Sequence, residues 1–331
     1  MGWSGKLSSD SVGWVLEPDN PSMRYWALQD LLGKKSTDPD VEKALDGVMQ
    51  TPEVQSILAE LKPGGWWENE NDMYLPKYRA STHQLLILAE LGAKRIPSIE
   101  NAIEHLFKFQ RDSGHFLTEL PKTDKGRASI VMDGCCLDGN VLFYLNHFGF
   151  IDDERTRQLL DFTVKYHSIE KGGWKCRSYP INPNSVFPVN CYMGATKVLK
   201  AFSRIQESKR SKDIQAIIER EIENILENQI FRYLRNKDGS RKDKEGWKRF
   251  GFPLFYQSDA LEVLDTLVRL GVKDERMIPA IELVEKAQGE DGTWRLMNTF
   301  NGKMIVDIEE KGKPSKWITL KACRVLKGFY F

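Results

Sequence analysis

The chain has 331 residues, 41% of them hydrophobic and 29% charged, the profile of a folded protein with a sizeable core. Lys and Arg number 48 against 47 for Asp and Glu, so no global field draws in nucleic acid or an anionic membrane. No apolar run reaches the ~18 residues of a membrane span, which points to a soluble, cytoplasmic protein without a transmembrane segment. Five cysteines, an odd number, in a large chain with no secretory signal argue against a disulfide framework and leave free thiols, metal ligands or core residues.

In chain order, residues 1–20 read as an N-terminal segment and 21–331 as a single domain built on one repeated phrase. The phrase is an amphipathic helix, a Gly-aromatic loop and a second helix that often ends in Leu-Gly. The loops are KPGGWW (62–67), RDSGHF (111–116), KGGWKC (171–176), KEGWKRF (244–250) and GEDGTWR (289–295), unevenly spaced. Helices before the loops include SIENAIEHLFKFQ, DERTRQLLDFTVKYH, IIEREIENILENQ and MIPAIELVEKAQ. After the loops come THQLLILAELG, LDGNVLFYLNHFG, NCYMGATKVLKAF, SDALEVLDTLVRLG and SKWITLKACRVLK, and SMRYWALQDLLG at the front belongs with these.

Apolar residues recur at i, i+3, i+4 and i+7 throughout, with no convincing strand, so the chain is all-α with about eleven main helices. The first set carries Glu, Arg and Lys on one face, whereas the second is rich in Leu, Val, Ala and Gly around its circumference. Helices apolar on most sides are buried. An outer ring of solvated helices around an inner ring of buried ones, a closed α/α toroid, follows from that contrast. Trp66, Trp174, Trp247 and Trp294 are expected to be repeat anchors wedged between helices.

Gln followed by a Gly-x-Trp or Gly-Gly-Trp loop and then a Leu-rich helix, clearest in AQGEDGTW at 287–294, resembles the repeats of the terpenoid cyclase and protein prenyltransferase superfamily over roughly residues 20–328. The resemblance implies an α/α toroid whose ligands sit in the funnel of the inner ring, near the starts of the inner helices. Residues opening those helices are therefore candidates: Arg24, Tyr25 and Trp26; Tyr78, Arg79 and His83; Asp133, Cys135, Cys136, Asp138 and Asn140; Asn190, Cys191 and Tyr192; Tyr256 and Asp259; Trp317. Polar residues before a helix are equally what capping gives, Asp138 and Asp259 above all.

Gly126-Arg127, five residues, then Asp133-Gly134-Cys135 is similar in order and spacing to a segment of the protein farnesyltransferase β subunit. By that resemblance Asp133 and Cys135 are zinc ligands and catalytic, and Arg127 contacts an isoprenoid diphosphate. A zinc with an open position binds a substrate thiol and lowers its pKa. Val189 stands where the family has its His ligand, and Ile130 where it has a basic residue. In a toroid Cys176 and Cys191 approach Cys135 and Cys136, and such a thiolate cluster with Asp133 suits zinc. The other reading is small buried thiols that permit close helix packing.

MIVDIEE at 304–310 resembles in outline the D-x-D-D motif with which class II terpene cyclases protonate an alkene. Here it reads Asp307-Ile308-Glu309-Glu310, with Lys311 and Lys313 after it, and a solvated polar turn is the expectation. The basic stretch 233–249 reads as a surface connection, a flap or a contact for an anionic protein partner. No Walker loop, dinucleotide-binding glycine fingerprint, H-E-x-x-H or serine elbow is present.

Two functional readings stand. One is a prenyltransferase- or terpene cyclase-like cavity for an isoprenoid or other hydrophobic ligand, with Arg127 and Arg79 for an anionic head group and Tyr78, His83, Tyr192, Tyr256 and Trp317 around it. The other is a non-catalytic binding or protein-interaction toroid.

Overall fold

The computed structural model describes residues 3–129, 134–174 and 191–331. Among them the helices are α1 (Ser11–Val15), α2 (Pro21–Asp30), α3 (Pro39–Val48), α4 (Pro52–Ala59), α5 (Ser81–Leu91), α6 (Pro97–Phe107), α7 (Asp124–Arg127), α8 (Cys135–His147), α9 (Glu154–Lys165), α10 (Tyr192–Ser203), α11 (Lys212–Glu227), α12 (Ala260–Arg269), α13 (Ile278–Lys286) and α14 (Lys316–Tyr330). Their starts are written in the sequence. Asn20, Thr51, Ser211 and Ser315 each accept the N–H three residues on, and proline opens α2, α3, α4 and α6.

The two compositions sort into two layers. The helices α5, α8, α10, α12 and α14 are buried along most of their length, whereas α6, α9, α11 and α13 bury one stripe. Each buried helix packs on the next, from α5 through α8, α10 and α12 to α14, and α14 packs on α2. The Trp26 indole on α2 donates to the Glu90 carbonyl on α5 (2.9 Å), which closes a ring of six. Outside it, α6 lies on α5, α9 on α8, α11 on α10 and α13 on both α12 and α14. The architecture is an α/α toroid.

Gly139 sets the closest crossing: a Cβ there would sit 2.7 Å from the Lys197 carbonyl carbon, so α8 and α10 approach backbone to backbone.

The Gly-aromatic loops are clamped on both sides. The indoles of Trp67, Trp174 and Trp294 donate to the carbonyls of Ile57, Thr163 and Val284, each at 2.7 Å. Those carbonyls lie in the last turns of α4, α9 and α13, where the final C=O groups of a helix lack intrahelical partners. On the other side the N–H groups of Trp67, Phe116 and Trp294 donate to Ser81, Asp138 and Thr319 in the first turns of α5, α8 and α14. The glycine is needed for room and for handedness: Gly65 has φ +93, and a Cβ there would lie 2.5 Å from the Asn101 carbonyl oxygen on α6.

Three expectations change. In the first loop the anchor is Trp67, fully buried, whereas Trp66 is half-buried and packs on His105 at 5.2 Å. Asp138 does not cap α8; it lies inside the helix and takes the Phe116 N–H. The stretch 233–249 contains a small antiparallel hairpin, β1 (Leu234–Arg235) with β2 (Arg241–Lys242), an exception to the all-helical reading. The N-terminal segment is tied to the last repeat, with the Ser8, Ser9 and Ser11 hydroxyls donating to the carbonyls of Gly289, Asp291 and Gly292.

Candidate functional site

The loops leading into α5 and α12 carry the same pattern, Leu75-Pro76-Lys77-Tyr78 and Phe252-Pro253-Leu254-Phe255. Tyr78 (φ 71) and Phe255 (φ 50) both adopt the left-handed backbone that bulky residues rarely enter. Although α5 and α12 are not neighbours in the ring, the Tyr78 and Phe255 rings meet at 5.1 Å, so the two loops reach across the opening. Phe300 stacks on Tyr78 at 4.2 Å, and the Asn140 amide on α8 donates to the Phe255 carbonyl at 3.1 Å. The result is an aromatic mouth at the starts of the inner helices, with Tyr78 and Tyr256 half-buried and Lys77 Nζ 5.5 Å over the Tyr256 ring.

His83 lies beneath, edge-on to Phe255 at 5.1 Å. It is 3% exposed, and burial lowers its pKa to about 3 despite its bond to the Tyr74 carbonyl (3.1 Å). It is a neutral donor there. Arg79 is engaged: Nε lies 2.6 Å from Glu68 Oε1 and Nη1 donates to the Met304 carbonyl at 3.2 Å. Trp317 stacks flat on Phe252 (4.1 Å, 7°). Tyr192 is buried apart from this group, its hydroxyl donating to the Ile230 carbonyl at 2.8 Å and its ring stacked on Tyr233 at 4.3 Å. Arg127 is exposed at the end of the four-residue α7.

Cys191 is the N-cap of α10, its Sγ accepting the Gly194 N–H at 3.3 Å. A Cβ on Gly194 would collide with Cys135 Sγ and lie 3.4 Å from Cys191 Sγ, so these two thiols flank one point. Cys136 is half-buried. Asp133, Cys176, Ile130, Val189 and Asn190 lie outside the described residues. Among those described, no three His, Cys, Asp or Glu side chains converge as metal ligands.

Glu309 corrects another expectation, because it is not a solvated turn residue. Its Oε1 accepts the Lys316 N–H (2.7 Å) and its Oε2 the Ser315 hydroxyl, at the start of α14. Burial raises its pKa against those bonds. Asp307 is exposed and accepts the Gly302 N–H at 2.8 Å. Asp259 caps α12, taking the N–H groups of Glu262 and Gly251 at 2.8 Å each, and burial raises it to about 6.

Below the mouth the ring interior is charged, which the sequence reading missed. Lys197 Nζ lies 2.6 Å from Glu262 Oε2, and Lys200 Nζ lies 2.9 Å from Glu262 Oε1 and also pairs with Glu90. Farther along, Arg324 contacts Asp265 at 2.7 Å and Asp30 at 2.8 Å, and Arg269 contacts Asp30 at 2.7 Å. Burial alone would raise these carboxylates. Lys200 and Lys321 instead bring Glu90 to about 2, and Arg269 and Arg324 bring Asp30 to about 2. Burial lowers Lys197, and burial together with Arg269 and Arg324 lowers Arg204 to about 10.

No protein-family model and no curated protein matches the sequence. Among solved structures, a variant of the type II terpene cyclase MstE from Scytonema in complex with geranylgeranyl dihydroxybenzoate is similar at 15% identity and TM-score 0.47, over 95% of this chain and 86% of that one. An unsaturated glucuronyl hydrolase specific for heparin is similar at 12% identity and TM-score 0.45, over 93% and 84%. No helix among the described residues is long and apolar enough to cross a membrane.

Proposed function

We propose that this is a cytoplasmic protein that binds an isoprenoid or another extended apolar molecule at the aromatic mouth of its toroid. The observation that carries the reading is the meeting of Tyr78, Phe255 and Phe300 over the ring, with two of the three held in left-handed backbone. Strained aromatic residues persist where surrounding structure enforces them, and such strain clusters at ligand sites. Their π-faces suit a polyene, and in an enzyme they would also stabilise a developing carbocation. Five cysteines, an odd number, agree with a reducing compartment.

The catalytic form of this proposal is a prenyltransferase- or cyclase-like reaction in which Asp133 and Cys135, with Cys136, Cys176 and Cys191, hold zinc and Arg127 meets a diphosphate. Among the described residues only Cys135 and Cys191 flank a common point, so the donor set is complete only if Asp133 or Cys176 joins them. Zinc there would supply a thiolate nucleophile at neutral pH. Glu309 favours the second reading, a binding module without turnover, because both its oxygens are committed to the start of α14.

Titration of tryptophan fluorescence with geranylgeraniol tests the binding reading. Saturable, near-equimolar binding weakened about tenfold or more in Tyr78→Ala and Phe300→Ala supports it, and absence of saturable binding to any C15–C30 isoprenoid sinks it. Elemental analysis beside a Cys135→Ser, Cys191→Ser variant separates the two forms. Equimolar zinc lost in the variant, with new products by mass spectrometry, supports catalysis; binding without metal or product supports the module.

A further inference from the structure

Six basic side chains (Lys197, Lys200, Arg204, Arg269, Lys321 and Arg324) share the ring interior with four carboxylates (Asp30, Glu90, Glu262 and Asp265). The carboxylates are spent. Glu262 is shared by Lys197 and Lys200, Glu90 pairs with Lys200, and Asp30 and Asp265 hold Arg269 and Arg324. Lys321 and Arg204 are left without an ion pair among the described residues, although Glu90, Glu262, Asp265 and Asp259 act on Lys321 from a distance.

The first is Lys321 on α14, only 5% exposed, whose Nζ makes no hydrogen bond or ion pair among the described residues and sits 5.1 Å from the Phe252 ring centre. The second is Arg204, just past α10, whose guanidinium is in no ion pair among the described residues and faces the rings of Trp26 (5.3 Å) and Phe143 (5.7 Å). Both line one cavity, together with Lys200, Arg324 and the carboxylates Glu90, Glu262 and Asp265. An ammonium carries three donors and a guanidinium five; leaving the buried Lys321 unmatched is costly, whereas the half-buried Arg204 keeps some contact with solvent.

We infer that this cavity is a binding site for one small monovalent anion of halide size, held between Lys321 and Arg204. The size follows from the space: about 10 Å³ is open to the centre of a water-sized sphere, near the minimum that holds a single water. A phosphate or a carboxylate-bearing metabolite does not fit without moving the walls. Water matches the size and supplies acceptors, but it brings no charge to two cations that lack an ion pair. A halide between them would bring the charge that water lacks. Arg204 is lowered first by burial and then by Arg269 and Arg324, against the opposing pull of Asp30 and Asp265. The site is independent of the aromatic mouth and of whatever binds there.

The test uses the whole chain in chloride-free buffer, with melting followed as sodium chloride replaces sodium gluconate at constant ionic strength. The expected result is a saturable rise of a few degrees, because a ligand that binds only the folded state stabilises it by mass action. The rise should vanish in Lys321→Met. In crystals of the wild-type protein grown with sodium bromide, an anomalous peak is expected in contact with Lys321 Nζ and the Arg204 guanidinium. That measurement decides the matter if Lys321→Met does not fold. Identical melting in the two salts, a chloride effect that persists in Lys321→Met, or density there without anomalous signal would overturn the inference.

Discussion

Lys197 on α10 and Glu262 on α12 form an ion pair in the centre of the ring, Nζ to Oε2 at 2.6 Å, with 1% and 4% of the two residues exposed. Burying two charges costs several kcal/mol per ion before their attraction is counted, so such a pair is fragile to loss of one partner. Glu262→Ala removes the ion-pair partner of Lys197 and one of the two partners of Lys200, and is expected to cost about 3–5 kcal/mol in urea unfolding. The double change Lys197→Met, Glu262→Met should cost less than Glu262→Ala alone. A double variant that is worse would mean that the pair contributes stability of its own.

Acid should destabilise the protein through groups displaced in the folded state, His83 and Asp259 by burial and Glu90 and Asp30 by their cationic partners against burial. His83 is pulled down to about 3, so between pH 6.5 and about 3 the unfolded chain takes up a proton that the folded one refuses. Stability is full above pH 6.5 and falls as pH drops through that window. Asp259, raised to about 6, acts oppositely, adding stability as pH falls from 6 toward 3.8. Glu90 and Asp30, both held near 2, keep their contribution above the ordinary carboxylate range and lose it from about pH 4.5 down to 2. Unfolding free energies measured at pH 7, 5.5 and 4 should show a decline that is shallower in His83→Gln. An equally steep decline in that variant would remove His83 as its source.

The clamped loops make an asymmetric prediction about adjacent tryptophans. Replacing Trp294 by Phe keeps most of the buried ring but leaves the Val284 carbonyl without its indole donor, at a cost of about 1–3 kcal/mol. Trp67→Ala opens a cavity in the core and should cost about 3–5 kcal/mol. Trp66→Ala, next to it in sequence but half-buried, should cost less than half as much. Thermal denaturation of the three variants checks this, and equal losses at positions 66 and 67 would contradict the anchor assignment.

The closed ring was legible because its cause is compositional: helices buried on all sides need apolar residues all round, and the loops between the layers need a glycine and an aromatic residue. Which of Trp66 and Trp67 turns inward was not legible, since both satisfy that rule and only the positive φ at Gly65 separates them. The charged interior escaped because single charges in apolar helices read as exceptions. The signal was present in their spacing. Lys197 with Lys200, Glu262 with Asp265 and Lys321 with Arg324 stand three apart on successive inner helices, with alternating sign from one helix to the next. A second missed signal was Asp-Glu-Arg at 153–155 and 274–276, where Arg155 and Arg276 reach back to Glu104 and Glu223 on the preceding outer helices. At the mouth, the aromatic candidates were legible from their position before the inner helices. The meeting of Tyr78 with Phe255 was not, because it depends on two loops from opposite sides of the ring.

The Arg79–Glu68 pair sets what an anionic head group would gain at the mouth. Arg79 is, with Arg127, an expected contact for an anionic head group, yet its Nε is held by Glu68 at 2.6 Å, so a diphosphate there must displace a carboxylate that already occupies the guanidinium. The two side chains are 39% and 31% exposed, and ion pairs that open to solvent are worth about 0.2–1 kcal/mol. Neutralising the competitor should therefore help a diphosphate by a few-fold at most, since 1.4 kcal/mol corresponds to about tenfold. In Glu68→Gln, geranylgeranyl diphosphate is expected to bind about two- to fivefold more tightly, with geranylgeraniol unchanged. In Arg79→Gln the preference of the site for diphosphate over alcohol should disappear. Calorimetric titration of both ligands against the three proteins reads this directly. If Arg79→Gln weakens the alcohol and the diphosphate equally, Arg79 acts by holding the Met304 loop in place and the head group is met elsewhere.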